Sequence, residues 1–292
     1  MIMQILINII LTSFLYFIII ISFTNIYTPS HFFSLTHAAV ITFGAYFTYM
    51  LTAQAHAPLW LAIPGAIILA TAVGVSTELC IYKPLRKRGA TPLIMLIASL
   101  GLYVVLQNLI SMLWGDDTKS IRTWEVKVGN EFFGAYITDV QIIIIAVSLT
   151  LFVLCLLFLH YSRLGKQIQA VSSNEELANI FGINSDRVIL LSFAIGSALG
   201  SIAGILVSLD TDMTPTMGFK LLLYGIVAMI IGGVGSYWGL LGGALLLATA
   251  QHLSAYYIDS KWMDAVAYII LILFLIWKPL GFSGRRLKKV EI

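Results

Sequence analysis

The chain has 292 residues, 59% hydrophobic and only 11% charged, with a formal net charge of +3. Its mean hydropathy is +0.94. That balance excludes a soluble globular domain or a disordered chain and leaves a protein that crosses a membrane several times, whose basic residues report topology rather than an acidic partner.

Apolar runs of the roughly 20 residues a bilayer requires lie near 5–26, 31–53, 59–82, 92–114, 139–159, 188–208, 220–236, 239–257 and 262–277. They predict an all-α polytopic membrane protein of eight or nine spans, organised as one transmembrane domain over residues 1–292. No basic residue precedes the first run at Ile5 and no small-residue cleavage pattern follows it, so it reads as a span rather than a removable signal.

The second run contains a mild interruption, Ser34-Leu35-Thr36-His37-Ala38, followed by Gly44. In the third, Ala62, Ala66, Ala70 and Gly74 form a stripe of small residues at fourfold spacing, which lets helix backbones approach closely. Glu78 continues that stripe, so it is expected to face protein and to pair with the basic loop that follows. Gln107 and Asn108 lie well inside the fourth run, where amides are expected to point into the bundle, either bridging helices or lining a path.

An outer loop over about 115–139 carries Asp116, Asp117, Glu125, Glu131 and Asp139. Its alternating stretch 121–128, followed by Gly129-Asn130, predicts a small hairpin. The two cysteines, Cys80 and Cys155, fall in apolar runs and suggest no disulfide framework.

The polar loop over about 160–187 holds the most informative stretch, Ser172 to Ile183. Ser172 or Ser173 can cap a short helix, Glu175 and Glu176 occupy its first turn, and Gly182 is placed to end it. Leu177, Ile180 and Phe181 give that helix an apolar face with nothing local to cover it, so it lies on lipid or receives a partner protein.

In the sixth run Ser192, Gly196, Gly200, Gly204 and Ser208 form a second small-residue stripe. The segment 232–243, which contains Gly232, Gly233, Gly235, Gly239, Gly242 and Gly243, is the strongest interruption in any apolar stretch and predicts a broken or re-entrant span. Interrupted segments in both halves of a chain point to a midplane substrate path. Its expected lining is Thr36, His37, Gly44, Gln107, Asn108, Gly232, Gly233 and Gly235. Spans one to four and six to nine then have opposite orientations, as an inverted repeat requires. His37 reads as a helix-to-helix hydrogen bonder, and no histidine has the company of a metal site.

The basic residues divide unevenly. With nine spans, twelve (Lys83, Arg86, Lys87, Arg88, Arg163, Lys166, Arg187, Lys278, Arg285, Arg286, Lys288 and Lys289) fall on one side, and five (Lys119, Arg122, Lys127, Lys220 and Lys261) on the other. This predicts an N-terminus outside and a cytoplasmic C-terminus. The chain lacks a phosphate-binding loop, a zinc-protease motif and a nucleophile elbow, so energy for uphill work must come from another subunit or an ion gradient.

Four segments in order carry a resemblance: Tyr82-Lys83-Pro84-Leu85-Arg86; Glu176-Leu177-Ala178 with Gly182-Ile183-Asn184-Ser185-Asp186-Arg187-Val188; Gly232-Gly233-Val234-Gly235-Ser236; and Pro279-Leu280-Gly281-Phe282-Ser283-Gly284-Arg285. From the first span to the tail, the chain resembles the shorter permease subunit of bacterial branched-chain amino acid ABC importers. The resemblance implies a multi-pass protein of the bacterial inner membrane that is not itself an enzyme. It also implies that Glu175, Glu176, Leu177, Ala178, Phe181 and Gly182 form the loop engaging an ATPase. This chain then binds no cofactor, ATP being used by that partner. The other implied partners are a second homologous permease and a periplasmic or lipid-anchored solute-binding protein; nucleic acid is not among them. Two departures bear on the solute: the family commonly has Asn-Phe-Ala-His-Gly where Ser34-Leu35-Thr36-His37-Ala38 stands, and often a glutamate where Gln251 stands. Leucine-like amino acids lead, with amides or urea-like solutes as the alternative; a self-sufficient transporter or channel is the alternative class.

Overall fold

The computed structural model describes residues 2–122, 129–132, 134–278 and 281–282. Among these described residues, twelve α-helices follow one another: α1 (Ile2–Ser30), α2 (Thr36–Tyr49), α3 (Leu59–Thr77), α4 (Lys83–Lys87), α5 (Pro92–Trp114), α6 (Asp139–Tyr161), α7 (Arg163–Ser173), α8 (Glu175–Ile180), α9 (Ser185–Asp210), α10 (Met217–Gly232), α11 (Tyr237–Tyr257) and α12 (Met263–Trp277). Five-residue π-helical segments continue α2 as Met50–Gln54 and join α3 to α4 as Glu78–Tyr82. The hairpin pairs β1 (Asn130–Phe132) with β2 (Ala135–Ile137), downstream of the expected alternation, most of which lies outside the described residues.

Among the described residues, six helices are long and apolar enough to cross a membrane, or seven if the bent pair α10–α11 counts as one span. This corrects the expected eight or nine, and the reasons are physical. Twelve of the fourteen residues of α2 are buried, so it is shielded by protein and can carry Thr36, His37 and Thr42 without needing a strongly apolar sequence. Helices α10 and α11 meet at 120°, at the glycine-rich break expected from the sequence.

The chain forms two compact units. One comprises residues 21–127 and 158–223. Here α2 packs on α3, α5 and α9, and α3 packs on α9. Both small-residue stripes lie in these contacts. Gly74 lies against Ser197, Gly196 against Ile26 and the Ser22 carbonyl, Gly200 against His37, and Gly204 against the Ile41 carbonyl. A Cβ at Gly44 would lie 2.6 Å from the Ser201 backbone, so this glycine sets the spacing between α2 and α9.

The direction of each helix follows from its end contacts. Leu35 N–H donates to Ser99 Oγ at 3.1 Å near the start of α5, whereas the Tyr46 ring meets Trp114 at its end, with centroids 5.5 Å apart. Helices α2 and α5 are therefore parallel. Asp186, at the start of α9, pairs with Lys83 and Arg86 just before α5. Beyond the far ends of α5 and α9, Lys119 bridges Met213 and Arg122 reaches Asp212 at 3.0 Å. Helix α9 thus runs parallel to α5.

The other unit comprises residues 1–20, 128–157 and 224–292. Tyr16 OH donates to Gln251 Oε1 at 2.8 Å and Thr12 Oγ1 lies 2.8 Å from His252 Nε2, fixing the early turns of α1 against the end of α11. Tyr224 hydrogen-bonds Asp264, tying α10 to the start of α12. Gln4 and the Tyr136 backbone exchange two hydrogen bonds, of 3.1 and 2.8 Å.

Candidate functional site

The candidate in the polar loop over 160–187 is built from two short helices. Ser162 caps α7, accepting from Gly165 N–H at 2.9 Å. Helix α7 continues through Ser173, so the cap of α8 is Asn174, which accepts from Leu177 N–H at 2.9 Å. Ser172 and Ser173, the expected caps, instead donate to the Gln169 carbonyl within α7. Gly182 ends α8 as expected, with φ +83°. Its N–H donates to the Asn179 carbonyl at 3.0 Å and that of Ile183 to the Ala178 carbonyl at 2.9 Å. The Asn179 side chain then accepts from Ser185, and Asn184 caps α9 through Arg187 N–H.

Ala178 faces inward, in a core with Ile168, Val171 and Val188. Leu177, Ile180 and Phe181 face outward, 50%, 77% and 83% exposed. Beside them an open polar groove of about 510 Å³ is lined by Glu175, Asn179, Gly182, Ile183, Asn184, Ser185 and Asp186. An apolar ridge beside a polar groove has the chemistry of a protein-docking surface.

The groove adjoins a charged cluster. Glu78 is fully buried, its carboxylate 2.6 Å from Arg86 Nη2, which also reaches Asp186 at 3.2 Å. Lys83 lies 3.5 Å from Asp186. The expected pairing of Glu78 with the basic loop is present. Sequence reasoning missed Asp186, because it lies a hundred residues from Arg86.

The expected path residues each have their own local partners. Thr36 is buried, hydrogen-bonded to Tyr82 and to the Ser99 carbonyl. His37 Nε2 lies 2.9 Å from Ser22 Oγ, the helix-to-helix bond expected of it. Gly44 is a packing contact with Ser201. Gln107 is half-buried and donates to Ser111; Asn108 is exposed and donates to the Val104 carbonyl, which corrects the expectation that both point into the bundle. Helix α5 is apolar all round, so its sequence does not mark an inward face. Gly232 packs on Leu240 and Gly233 on Gly281, and the Ile231 carbonyl accepts from Phe282 N–H at 2.9 Å. Gly233 and Gly235 have φ of +85° and +111°. Among the described residues no group of three or more potential metal ligands occurs.

Residues 5–275 match the family described as branched-chain amino acid transport system / permease component. The chain belongs to this family. It is 33% identical over 284 residues to the high-affinity branched-chain amino acid transport system permease protein LivH of Salmonella typhimurium, covering 92% of this chain and 91% of that protein. It is 32% identical to the corresponding BraD protein of Pseudomonas aeruginosa, covering 92% of each. A solved structure of PsaBC from Streptococcus pneumoniae in complex with Fab is similar in fold, with TM-score 0.51 over 92% of this chain and 90% of that one, at 12% identity. The chain is thus a multi-pass permease subunit of an ABC importer, a transport component.

Proposed function

We propose that the permease imports branched-chain amino acids, driven by a separate cytoplasmic ATPase that docks on α7–α8 and Gly182. The observation that carries this is the exposure of Leu177, Ile180 and Phe181 on a six-residue helix whose Ala178 packs on Ile168, Val171 and Val188. The names of the relatives support the solute. The implied assembly is a pair of permeases, identical or homologous, with ATPase subunits and an external solute-binding protein.

The N-terminus is outside and the C-terminus cytoplasmic in this reading. Support comes from the parallel course of α2, α5 and α9: all three start at the end carrying Lys83, Arg86, Lys87 and Arg88, which the positive-inside rule assigns to the cytoplasm. The turn between α1 and α2 is also at that end, with Phe32 packed on Tyr82, so α1 arrives there from the opposite side.

The test is transport by the complete complex in proteoliposomes. ATP-dependent accumulation of labelled leucine, isoleucine or valine is expected. Accumulation without ATP, or of urea or acetamide in preference to leucine, overturns the reading.

A further inference from the structure

The stretch from Lys83 to Arg88 holds four basic residues, Lys83, Arg86, Lys87 and Arg88. Two of them are committed: Arg86 to Glu78 and Asp186, and Lys83 to Asp186. Lys87 and Arg88 are exposed, and among the described residues neither side chain has an ionic or hydrogen-bonding partner. Two acids therefore meet the first pair of cations, and the second pair is left over.

The backbone under that second pair is fixed. Gly89, with φ +73°, ends α4. Its N–H donates to the Arg86 carbonyl at 3.0 Å and that of Ala90 to the Leu85 carbonyl at 3.1 Å, the paired bonds that close a helix through a left-handed residue. Ala90 then packs on the core that holds Phe32, Tyr82 and Met95. Both cations thus stand on, or next to, a turn pinned to the bundle.

Helix α5 enters its apolar run directly after the turn. Thr91 caps it, accepting from Ile94 N–H at 3.4 Å. Leu93, Ile97, Leu100 and Val104, at spacings of four, three and four, form an exposed stripe that begins five residues after Arg88. On a helix long and apolar enough to cross a membrane, such a stripe meets acyl chains. The surface therefore offers two free cations where the hydrocarbon-facing stripe starts.

We infer that Lys87 and Arg88 form a site for the head group of an anionic phospholipid whose acyl chains lie along the exposed stripe of α5. The phosphodiester meets the ammonium and the guanidinium, and the latter can present two parallel N–H donors to it. A zwitterionic lipid brings a cation of its own and gains less from the same pair. An acidic protein surface would match the cations but not the stripe below them, whereas an anionic lipid carries charge and hydrocarbon in that order. The site is independent of the solute and of the role of α8.

Titration of the complete detergent-solubilised complex with dioleoylphosphatidylglycerol or dioleoylphosphatidylcholine, read by native mass spectrometry, tests this. Phosphatidylglycerol should bind the more tightly. Lys87→Gln/Arg88→Gln should weaken it about thirtyfold at the tightest site, each cation near an anionic lipid being worth about fivefold, and should leave phosphatidylcholine unchanged. Lys87→Arg/Arg88→Lys should keep the preference. Recovery of the ATPase should not change, and millimolar glycerol 3-phosphate should not displace the lipid. Equal affinity of the wild type for the two lipids, or undiminished phosphatidylglycerol affinity in the glutamine variant, overturns the inference. So does loss of the ATPase with lipid affinity intact, which would give the patch to an acidic protein surface. Displacement by glycerol 3-phosphate also overturns it, by making the site one for soluble phosphates.

Discussion

Arg86 bridges Glu78, at 2.6 Å, and Asp186, at 3.2 Å. One guanidinium thus joins the π-helical end of α3 to the first turn of α9, immediately after the groove beside α8. Glu78 is wholly buried, so its charge depends on this partner. Arg86→Met should destabilise the purified permease by about 3–5 kcal/mol, the cost of leaving a buried charge uncompensated. The double variant Glu78→Gln/Arg86→Met should recover much of that loss. Thermal unfolding in detergent reads both, and a single variant as stable as wild type would show that the bridge contributes nothing.

Phe181→Ala should weaken capture of the ATPase in pull-downs from solubilised membranes. Loss of an interface anchor of this kind costs about 2 kcal/mol or more, roughly thirtyfold in affinity. Its side chain is 83% exposed, so the permease itself should remain as stable as wild type. Undiminished ATPase recovery with both Phe181→Ala and Ile180→Ala would leave the ridge to the lipid surface.

Gly182→Val should be impaired where Gly182→Asn is tolerated. At φ +83° a β-branched residue is strained by about 1–3 kcal/mol, whereas asparagine enters this region more readily. Since a Cβ there meets no neighbour within 4 Å, any defect isolates backbone conformation from crowding. Equal uptake by the two variants would contradict this.

The two kinds of helix glycine should separate cleanly. Gly44→Ala pushes a Cβ into the Ser201 backbone and should cost about 1–3 kcal/mol by overpacking. Gly101→Ala meets open space and should be neutral or slightly stabilising. Equal effects on thermal stability would refute the close approach of α2 and α9.

How far the sequence was readable depended on the range of the forces involved. The α8 ridge and the Gly182 terminus are local, set by residues within two turns, and were legible; the cap shifted to Asn174 because α7 continues through Ser173. The small-residue stripes were legible because fourfold spacing survives whatever the partner helix is. Asn108 was not, since neighbours on every side of α5 are apolar and nothing local distinguishes lipid from protein.

Helix α8 has six residues, too few to be helical alone in water. Ala178 is held by Ile168 and Val171, made before it, and by Val188, made after it. The ridge bearing Phe181 therefore has no fixed shape until the ribosome has passed Val188 and the base of α9 has folded back. Engagement of a partner on that ridge is ordered in time by synthesis itself: an unfinished chain presents no surface to engage.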